Sequence, residues 1–223
     1  MTSLRSRALD LWRGLSGLLR TRRDTAPIDT VAALQDFVAT RSAYVAQKSL
    51  YGYVKARMGS LYPRMFEEER LMTSLDIAKL HVYAACLSDL TVYAVAAALH
   101  DQPVGNDARR TVAQRCYQAA IDANAADPPP QFAVEDCIDE FGRRLAAIDW
   151  QLAARQSDSF TRSPPALVRW APIADTLKRH DTEIIENSIR FAWRDIREQF
   201  RRRIDGAAVG ADWSRQAESR SDC

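Results

Sequence analysis

Glycine is scarce in this sequence, with 8 among 223 residues, and the glycine-dependent phosphate-binding motifs are absent. Neither Gly-x-Gly-x-x-Gly nor a Walker sequence occurs, which excludes the recognisable nucleotide-binding loops. There is also no Gly-x-Ser-x-Gly elbow and no Ser-x-x-Lys pair. The sequence therefore lacks the nucleophile motifs of the familiar serine hydrolases.

Metal-binding patterns are missing as well. The four cysteines (Cys86, Cys116, Cys137 and Cys223) contain no Cys-x-x-Cys spacing, which argues against a structural zinc site. The three histidines (His81, His100 and His180) form no Glu-x-x-His pair of the kind that helical di-metal sites use. We therefore expect neither a metal nor another cofactor.

Helix-forming residues dominate what is present, and strand-like alternation is nearly absent, so we predict an all-α fold. Apolar periodicity, caps and prolines predict an antiparallel bundle of about five helices within residues 25–205. The predicted helices are 30–58, 66–100, 107–124, 134–155 and 173–205, with a loop at 156–172. Residues 1–24 are predicted to form an amphipathic basic arm, and residues 206–223 a disordered tail.

The arm combines an apolar stripe with an excess of arginine. Within residues 1–23 there are six arginines and one acidic residue. On a helical wheel the leucines and the tryptophan share one side, and arginines occupy the rest, which is the composition of a helix lying at a membrane interface. The residues predicted to contact a membrane or a partner are Leu4, Arg5, Leu11, Trp12, Arg13, Leu15, Leu18, Leu19 and Arg20.

Three interpretations of the arm stay open: packing on the bundle, docking to a protein partner, and attachment to an anionic membrane surface. Charge distinguishes it from an ordinary surface helix, which mixes both signs. The remainder of the chain is close to neutral, so nucleic acid is not an expected partner. The first functional hypothesis is a non-catalytic interaction or assembly protein that is cytoplasmic and peripheral to the inner membrane.

A second unusual segment, residues 80–99, is long and apolar enough to span a membrane, yet Asp89 lies at its midpoint. We interpret it as a buried helix of the bundle. A buried carboxylate needs a partner, and the predicted polar cluster pairs Asp89 with Arg41, Lys48 or Arg190; Arg169 is a further candidate. The alternative is a polar pocket between the helices 30–58, 66–100 and 173–205.

Two further hypotheses concern chemistry and ligands. A hydrolase with a non-standard site would use Asp89, His81 and Ser88. Positions 81 and 88 share one face of a helix, whereas position 89 lies on a neighbouring face, so the geometry for a catalytic set is poor. A binder of small apolar molecules would show a cavity among the same three helices. The sequence indicates no oligomeric state.

Three stretches carry a resemblance: RSAYVAQKSLYGYVKARMG, IAKLHVYAACLSDLTVYAVAAAL and ALVRWAPIADTLKRHDTEIIENSIRFAWRDIREQFRRRID. They resemble a family of small, uncharacterised helical proteins of alphaproteobacteria, some of which are labelled esterase, and they cover well over a third of the chain. The resemblance implies a bacterial, cytoplasmic protein. It transfers no catalytic residue, because the sequence departs from the serine-esterase patterns at every position that would matter.

Overall fold

The computed structural model describes residues 25–61, 68–125, 128–155 and 159–221. This part of the chain contains nine α-helices and no strand, so the predicted all-α class is confirmed. The helices are α1 (Val31–Met58), α2 (Glu69–Ala98), α3 (Asn106–Asn124), α4 (Val134–Ala147), α5 (Trp150–Arg155), α6 (Ser163–Trp170), α7 (Asp175–Lys178), α8 (Thr182–Arg203) and α9 (Gly206–Ser221).

Helix α1 begins and ends where the sequence predicted. Thr30 is its N-cap and accepts a hydrogen bond from the Ala33 backbone N–H at 3.1 Å. Gly59 ends the helix with a φ of 53°, a left-handed conformation that costs a residue without a Cβ very little.

Helix α2 lies at the centre of the molecule and contacts α1, α3, α4, α5, α6 and α9. It is long and apolar enough to cross a membrane, but 78% of its most apolar window is buried inside the protein. A core helix surrounded by other helices needs apolar residues on every side, which explains why this segment carries almost no charge. Neither Thr73 nor Ser74 caps the helix, because both hydroxyls donate to carbonyls inside the helix.

The segment predicted as one helix over residues 134–155 is two. Helix α4 ends at Ala147, Ile148 turns to extended backbone, and α5 begins at Trp150. Asp149 starts the second helix, since its carboxylate accepts hydrogen bonds from the backbone N–H groups of Gln151 and Leu152 at 2.9 and 3.0 Å.

Helix α6 lies inside the segment 156–172 that the sequence predicted as a loop. Proline is unfavourable in the interior of a helix, which is why the sequence predicts a loop here. However, Pro164 and Pro165 occupy the first turn of α6, where no intrahelical N–H donor is needed. The loop prediction was therefore wrong over Ser163–Trp170.

The predicted helix 173–205 is interrupted as well, into α7 and α8. One face of α8 is buried as expected, including Ile185, Ile189 and Trp193. Leu177 and Ile184, which the helical period places on the same face of the predicted helix, are instead 48% and 70% exposed.

The disordered tail predicted for residues 206–223 was wrong over Gly206–Ser221, which form α9. Val209 and Trp213 are buried against the rest of the fold. A Cβ added to Gly206 would lie 2.4 Å from the Ala98 carbonyl oxygen, so glycine is required for α9 to approach the end of α2. Tertiary packing thus orders a segment whose local composition is polar.

The predicted arm lies outside the described residues, apart from the connection that follows it. Ile28 is fully buried and pairs with the backbone beside Ile204. Its N–H donates to the Arg203 carbonyl at 2.8 Å, and its carbonyl accepts from the Asp205 N–H at 3.0 Å. The chain that leads into α1 is therefore fastened to the junction of α8 and α9.

Candidate functional site

The most highly connected polar group in the described structure is Asp89, on the inner side of α2. Its side chain is completely buried. The Arg144 Nη1 donates to Asp89 Oδ1 at 2.8 Å, which forms a buried ion pair. The expectation that this carboxylate needs a cationic partner is met, although by an arginine of α4 that the sequence reasoning did not name.

Asp89 also caps helix α6. The backbone N–H of Arg162 donates to both carboxylate oxygens at 3.1 Å, and that of Ser163 donates to Oδ2 at 2.8 Å. The first N–H groups of a helix have no partner within the helix and carry a partial positive charge, so a carboxylate there is stabilised. One side chain of α2 thus holds both α4 and α6.

Arg144 donates to three residues in two parts of the chain, helix α2 and the segment before α6. Besides Asp89, its Nη1 donates to Ser88 Oγ at 2.7 Å, and its Nη2 donates to the Ser159 carbonyl at 2.6 Å. Its side chain is only 8% exposed. The guanidinium is therefore committed to joining α2 to the chain that precedes α6.

Ser163 extends this network to α8. Its hydroxyl oxygen accepts a hydrogen bond from the Trp193 indole Nε1–H at 2.9 Å, and both side chains are buried. We call Ser88, Asp89, Arg144 and Ser163 the polar core. It joins four helices through partnered hydrogen bonds, which is the arrangement expected of a buried polar network that specifies packing.

Burial dominates the electrostatics of the polar core. It raises the pKa of the Asp89 carboxyl, while the Arg144 guanidinium and the Ser163 N–H oppose that change. Burial also raises the pKa of the Cys86 thiol, and the nearby Asp89 charge adds to the increase. Cys86 is therefore held as a neutral thiol and is not an activated nucleophile.

The three cations predicted to join Asp89 lie elsewhere, and that prediction was wrong. Arg41 is buried but its Nε donates to Gln199 Oε1 at 3.1 Å. Lys48 is exposed, with its ammonium over the Tyr44 ring. Arg190 is exposed and pairs with Glu186 at 2.8 Å on the surface of α8.

Arg169, the further candidate, is exposed on α6 with its guanidinium near the Trp170 ring. A sequence signal for Arg144 does exist. It follows the buried Phe141 by three positions, so the two share one face of the amphipathic helix α4.

His81 lies on helix α2, about two turns before Ser88. Its ring stacks on Trp170 with centroids 3.4 Å apart and planes within 3°. Its Nε2 lies 3.1 Å from the Gln131 carbonyl oxygen, which places a donor hydrogen on that nitrogen. Burial lowers the pKa of His81, the Gln131 carbonyl opposes this, and the Arg169 charge lowers the pKa further.

The proposed catalytic residues do not form an acid–base–nucleophile chain. His81 and Ser88 are seven positions apart on one helix, which is about 10 Å along the helix axis and far beyond hydrogen-bond reach. Asp89 orients Arg144 and α6 and makes no hydrogen bond to His81 within the described structure. Ser88 accepts from a guanidinium, which is no general base.

Two of these residues nevertheless line one cavity. It measures about 240 Å³ and lies between α2, α3, α4 and α6, with His81 and Ser88 on its α2 wall. We call it the α2–α6 pocket. It is a different place from the cavity predicted among the helices 30–58, 66–100 and 173–205.

A second cluster was missed from the sequence. Near the end of α1, Arg57 forms two hydrogen bonds with the Asp181 carboxylate, and Tyr53 donates to the same carboxylate at 2.9 Å. The Arg57 guanidinium is the main reason that the pKa of Asp181 lies below its usual value. The only available signal was the spacing of Tyr53 and Arg57, which places them on one helix face.

The described residues contain no group of three or more histidine, cysteine, aspartate or glutamate side chains able to hold a metal ion, so they offer no candidate metal site. No family model matches this sequence, and neither a curated protein nor a solved structure shows significant similarity to it.

Proposed function

We propose that this protein is a non-catalytic helical interaction or assembly protein that attaches to an anionic membrane surface through residues 1–23. The observation that carries the proposal is the acid-poor amphipathic pattern of that segment, with six arginines and one acidic residue around an apolar stripe. A bacterial cytoplasmic protein would meet such a surface at the inner membrane.

The position of the connection supports this proposal. Residues 25–28 run beside the carboxyl end of α8, where Arg203 Nε donates to the Ala26 carbonyl at 2.7 Å. Arg201 and Arg202 lie at the same end of α8 and are exposed. Arg202 pairs with Glu198, which leaves Arg201 as the exposed arginine at this end of α8 that could face the same anionic headgroups as the arm.

Electrostatics and burial would act together at that surface. Each basic residue near an anionic membrane contributes about 1 kcal/mol at physiological salt. Burial of leucine and tryptophan side chains in the headgroup region adds the apolar contribution that makes such binding persist. Binding should consequently weaken in high salt without disappearing.

The domain has a core of its own to which the arm could be attached. Ile28, Phe37, Leu90 and Trp193 are among the fully or almost fully buried residues of the described chain. This core supports the proposal, because a peripheral anchor needs a stably packed domain to carry.

Vesicle co-sedimentation tests the proposal. The full chain should pellet with vesicles containing phosphatidylglycerol and remain in solution with vesicles of phosphatidylcholine alone. Replacing Leu11 and Leu15 by aspartate should abolish pelleting, as should a chain that starts at Thr25. Arg190→Gln, a change of one exposed arginine outside the arm, is the matched control and should pellet like the wild type.

Equal pelleting of the wild type and the Leu11→Asp/Leu15→Asp variant would reject membrane attachment. If that variant unfolded at a lower temperature than the wild type without any vesicles present, the leucines would be packing on the domain. If the arm instead binds a protein partner, the wild type will not pellet with the vesicles, and the leucine variant will unfold at the wild-type temperature.

A hydrolase remains the second candidate because His81 and Ser88 line the same pocket. Their separation on α2 gives this candidate less support. A screen of ester substrates with Ser88→Ala and His81→Ala distinguishes the two ideas, since activity that survives both substitutions would remove this site.

A further inference from the structure

The α2–α6 pocket is lined mainly by residues outside the polar core, of which Ser88 alone contributes to the wall. Small side chains create its space, with Ala84 and Ala85 on α2 and Ala166 on α6. Phe141 and Trp170 supply larger apolar walls. A volume of about 240 Å³ is slightly below the usual range for drug-sized ligands and suits a molecule with one aromatic ring.

One cation at this pocket is not neutralised. Arg162 lies 3.4 Å from Glu140, so those two charges offset each other. Arg169 forms no ion pair within the part of the chain that the structure describes, and its guanidinium lies 5.2 Å from the centre of the Trp170 ring. The pocket therefore has a net positive charge at its exposed end.

A tyrosine on the α3 wall adds a polar group to the pocket. Tyr117 is only 3% exposed, and its ring stacks on Phe141 with centroids 4.0 Å apart. The residue lines the pocket, and its hydroxyl can both donate and accept a hydrogen bond. A polar ligand atom in the pocket could therefore pair with it.

The neighbouring His81 completes the polar lining. Because its Nε2 is engaged by the Gln131 carbonyl, its Nδ1 is the nitrogen left to accept a hydrogen bond when the ring is neutral. A hydroxyl-bearing ligand would therefore find both a donor and an acceptor in the pocket.

From these features we infer that the α2–α6 pocket binds a small aromatic monocarboxylate that carries a second polar group on its ring. The carboxylate pairs with the Arg169 guanidinium, the planar fork of which matches two carboxylate oxygens. The ring lies against the alanine and aromatic walls, and the second polar group reaches Tyr117 or His81. This inference is independent of the membrane proposal.

Ligand-observed NMR or calorimetry on the full chain tests it with defined probes. The 3- and 4-hydroxybenzoates should bind more tightly than benzoate, and 4-hydroxybenzamide should bind at least about tenfold more weakly than 4-hydroxybenzoate, because it lacks the charge. In a ¹⁵N spectrum the Trp170 indole signal should shift with hydroxybenzoate while that of Trp213 stays in place.

Variants separate the two recognition groups. Arg169→Gln should weaken hydroxybenzoate binding about tenfold, whereas Arg190→Gln, an exposed arginine outside the pocket, should leave it unchanged. Tyr117→Phe keeps the stacked ring and should reduce the advantage of hydroxybenzoate over benzoate. Ala85→Leu or Ala166→Leu should fill the pocket and abolish binding, with thermal unfolding used to verify that each variant folds.

Failure to bind any of the carboxylates up to about 10 mM, a concentration at which even weak ligands register, would overturn the inference. Equal affinity for the acid and the amide would overturn it too, as would equal losses in Arg169→Gln and Arg190→Gln.

Discussion

Two of the aspartate–arginine pairs in the described part of the chain join distant helices, and they do so in very different surroundings. Asp89 and Arg144 lie in the centre, with side chains 0% and 8% exposed. Asp181 and Arg57 join the end of α1 to the start of α8, and the Arg57 side chain is 35% exposed. Each carboxylate accepts several hydrogen bonds, so the two pairs differ mainly in how much water can replace a lost partner.

The pKa values of the two aspartate carboxyl groups shift in opposite directions. For Asp89 burial is the largest influence, and the pKa of the carboxyl rises. For Asp181 the hydrogen bonds from Arg57 are the largest influence, and the pKa falls. The central pair therefore serves to hold helices together at a cost in desolvation, while the peripheral pair gains directly from its charge.

The largest expected effect is that of Asp89→Ala. It leaves the Arg144 guanidinium buried without its charge partner and removes the cap of α6, so we expect a loss of about 3–5 kcal/mol in the free energy of unfolding. Urea denaturation measures it. Asp139→Ala, at an exposed position of α4, is the control and should change stability by less than about 0.5 kcal/mol.

A double variant sharpens this prediction. Asp89→Leu combined with Arg144→Met removes both charges, so it should be more stable than either single variant. A loss below about 1 kcal/mol in Asp89→Ala would show that the central pair behaves like a surface pair.

Ser163→Ala should have the next largest effect. It leaves the buried Trp193 indole N–H without its acceptor, at an expected cost of about 1–3 kcal/mol. Trp193 fluorescence and urea unfolding report the change. Ser188→Ala, on the exposed side of α8, is the matched control. Equal stability of the two variants would mean that the polar core does not extend to α8.

Asp181→Asn should cost less than either central change at neutral pH, and its clearest effect should be on acid sensitivity. Because the folded-state pKa of Asp181 is below the ordinary value of 3.8, the unfolded chain binds the proton first as the pH falls. The stability from this group is thus present above that value and is lost in acid. Urea unfolding between pH 7 and pH 3 should show a shallower decline for Asp181→Asn, and parallel curves would contradict this.

His81 should produce the smallest effect, also visible as a pH dependence. Its folded-state pKa lies below the ordinary value of 6.5, so the unfolded chain takes up a proton first and stability falls as the pH drops through that range. His81→Phe and His81→Gln should both flatten the curve below neutral pH. Only phenylalanine keeps the ring stacked on Trp170, so the glutamine variant should be the less stable of the two.

Several features of the fold could be predicted from local sequence. Thr30 and Gly59 carry the cap chemistry that bounds α1, and the uncharged run around Asp89 indicated a helix that is buried on all sides. The helix α6 could not be predicted in this way. The same Pro164–Pro165 pair that forbids a helix interior is well suited to a first turn, and the Asp89 cap that favours that turn is 74 residues away.

The partner of Asp89 shows the same limit. Arg41 and Lys48 interrupt an apolar face just as Arg144 does, and no local rule decides which of them will meet a given carboxylate. The α9 segment was missed because its order depends on Trp213 and Val209 finding the surface formed by α1 and α2.

The sequence by itself determined that the chain is helical, that Asp89 is buried and needs a counter-charge, and that residues 1–23 have an unusually basic amphipathic pattern. Helical period, caps and charge are local properties, so they can be read along the chain. Only the tertiary structure decided that Arg144 neutralises Asp89, that this aspartate caps α6, and that a pocket opens between His81 and Ser88. Those outcomes depend on which distant side chains share the same buried space, and burial is what gives each of these contacts its energy.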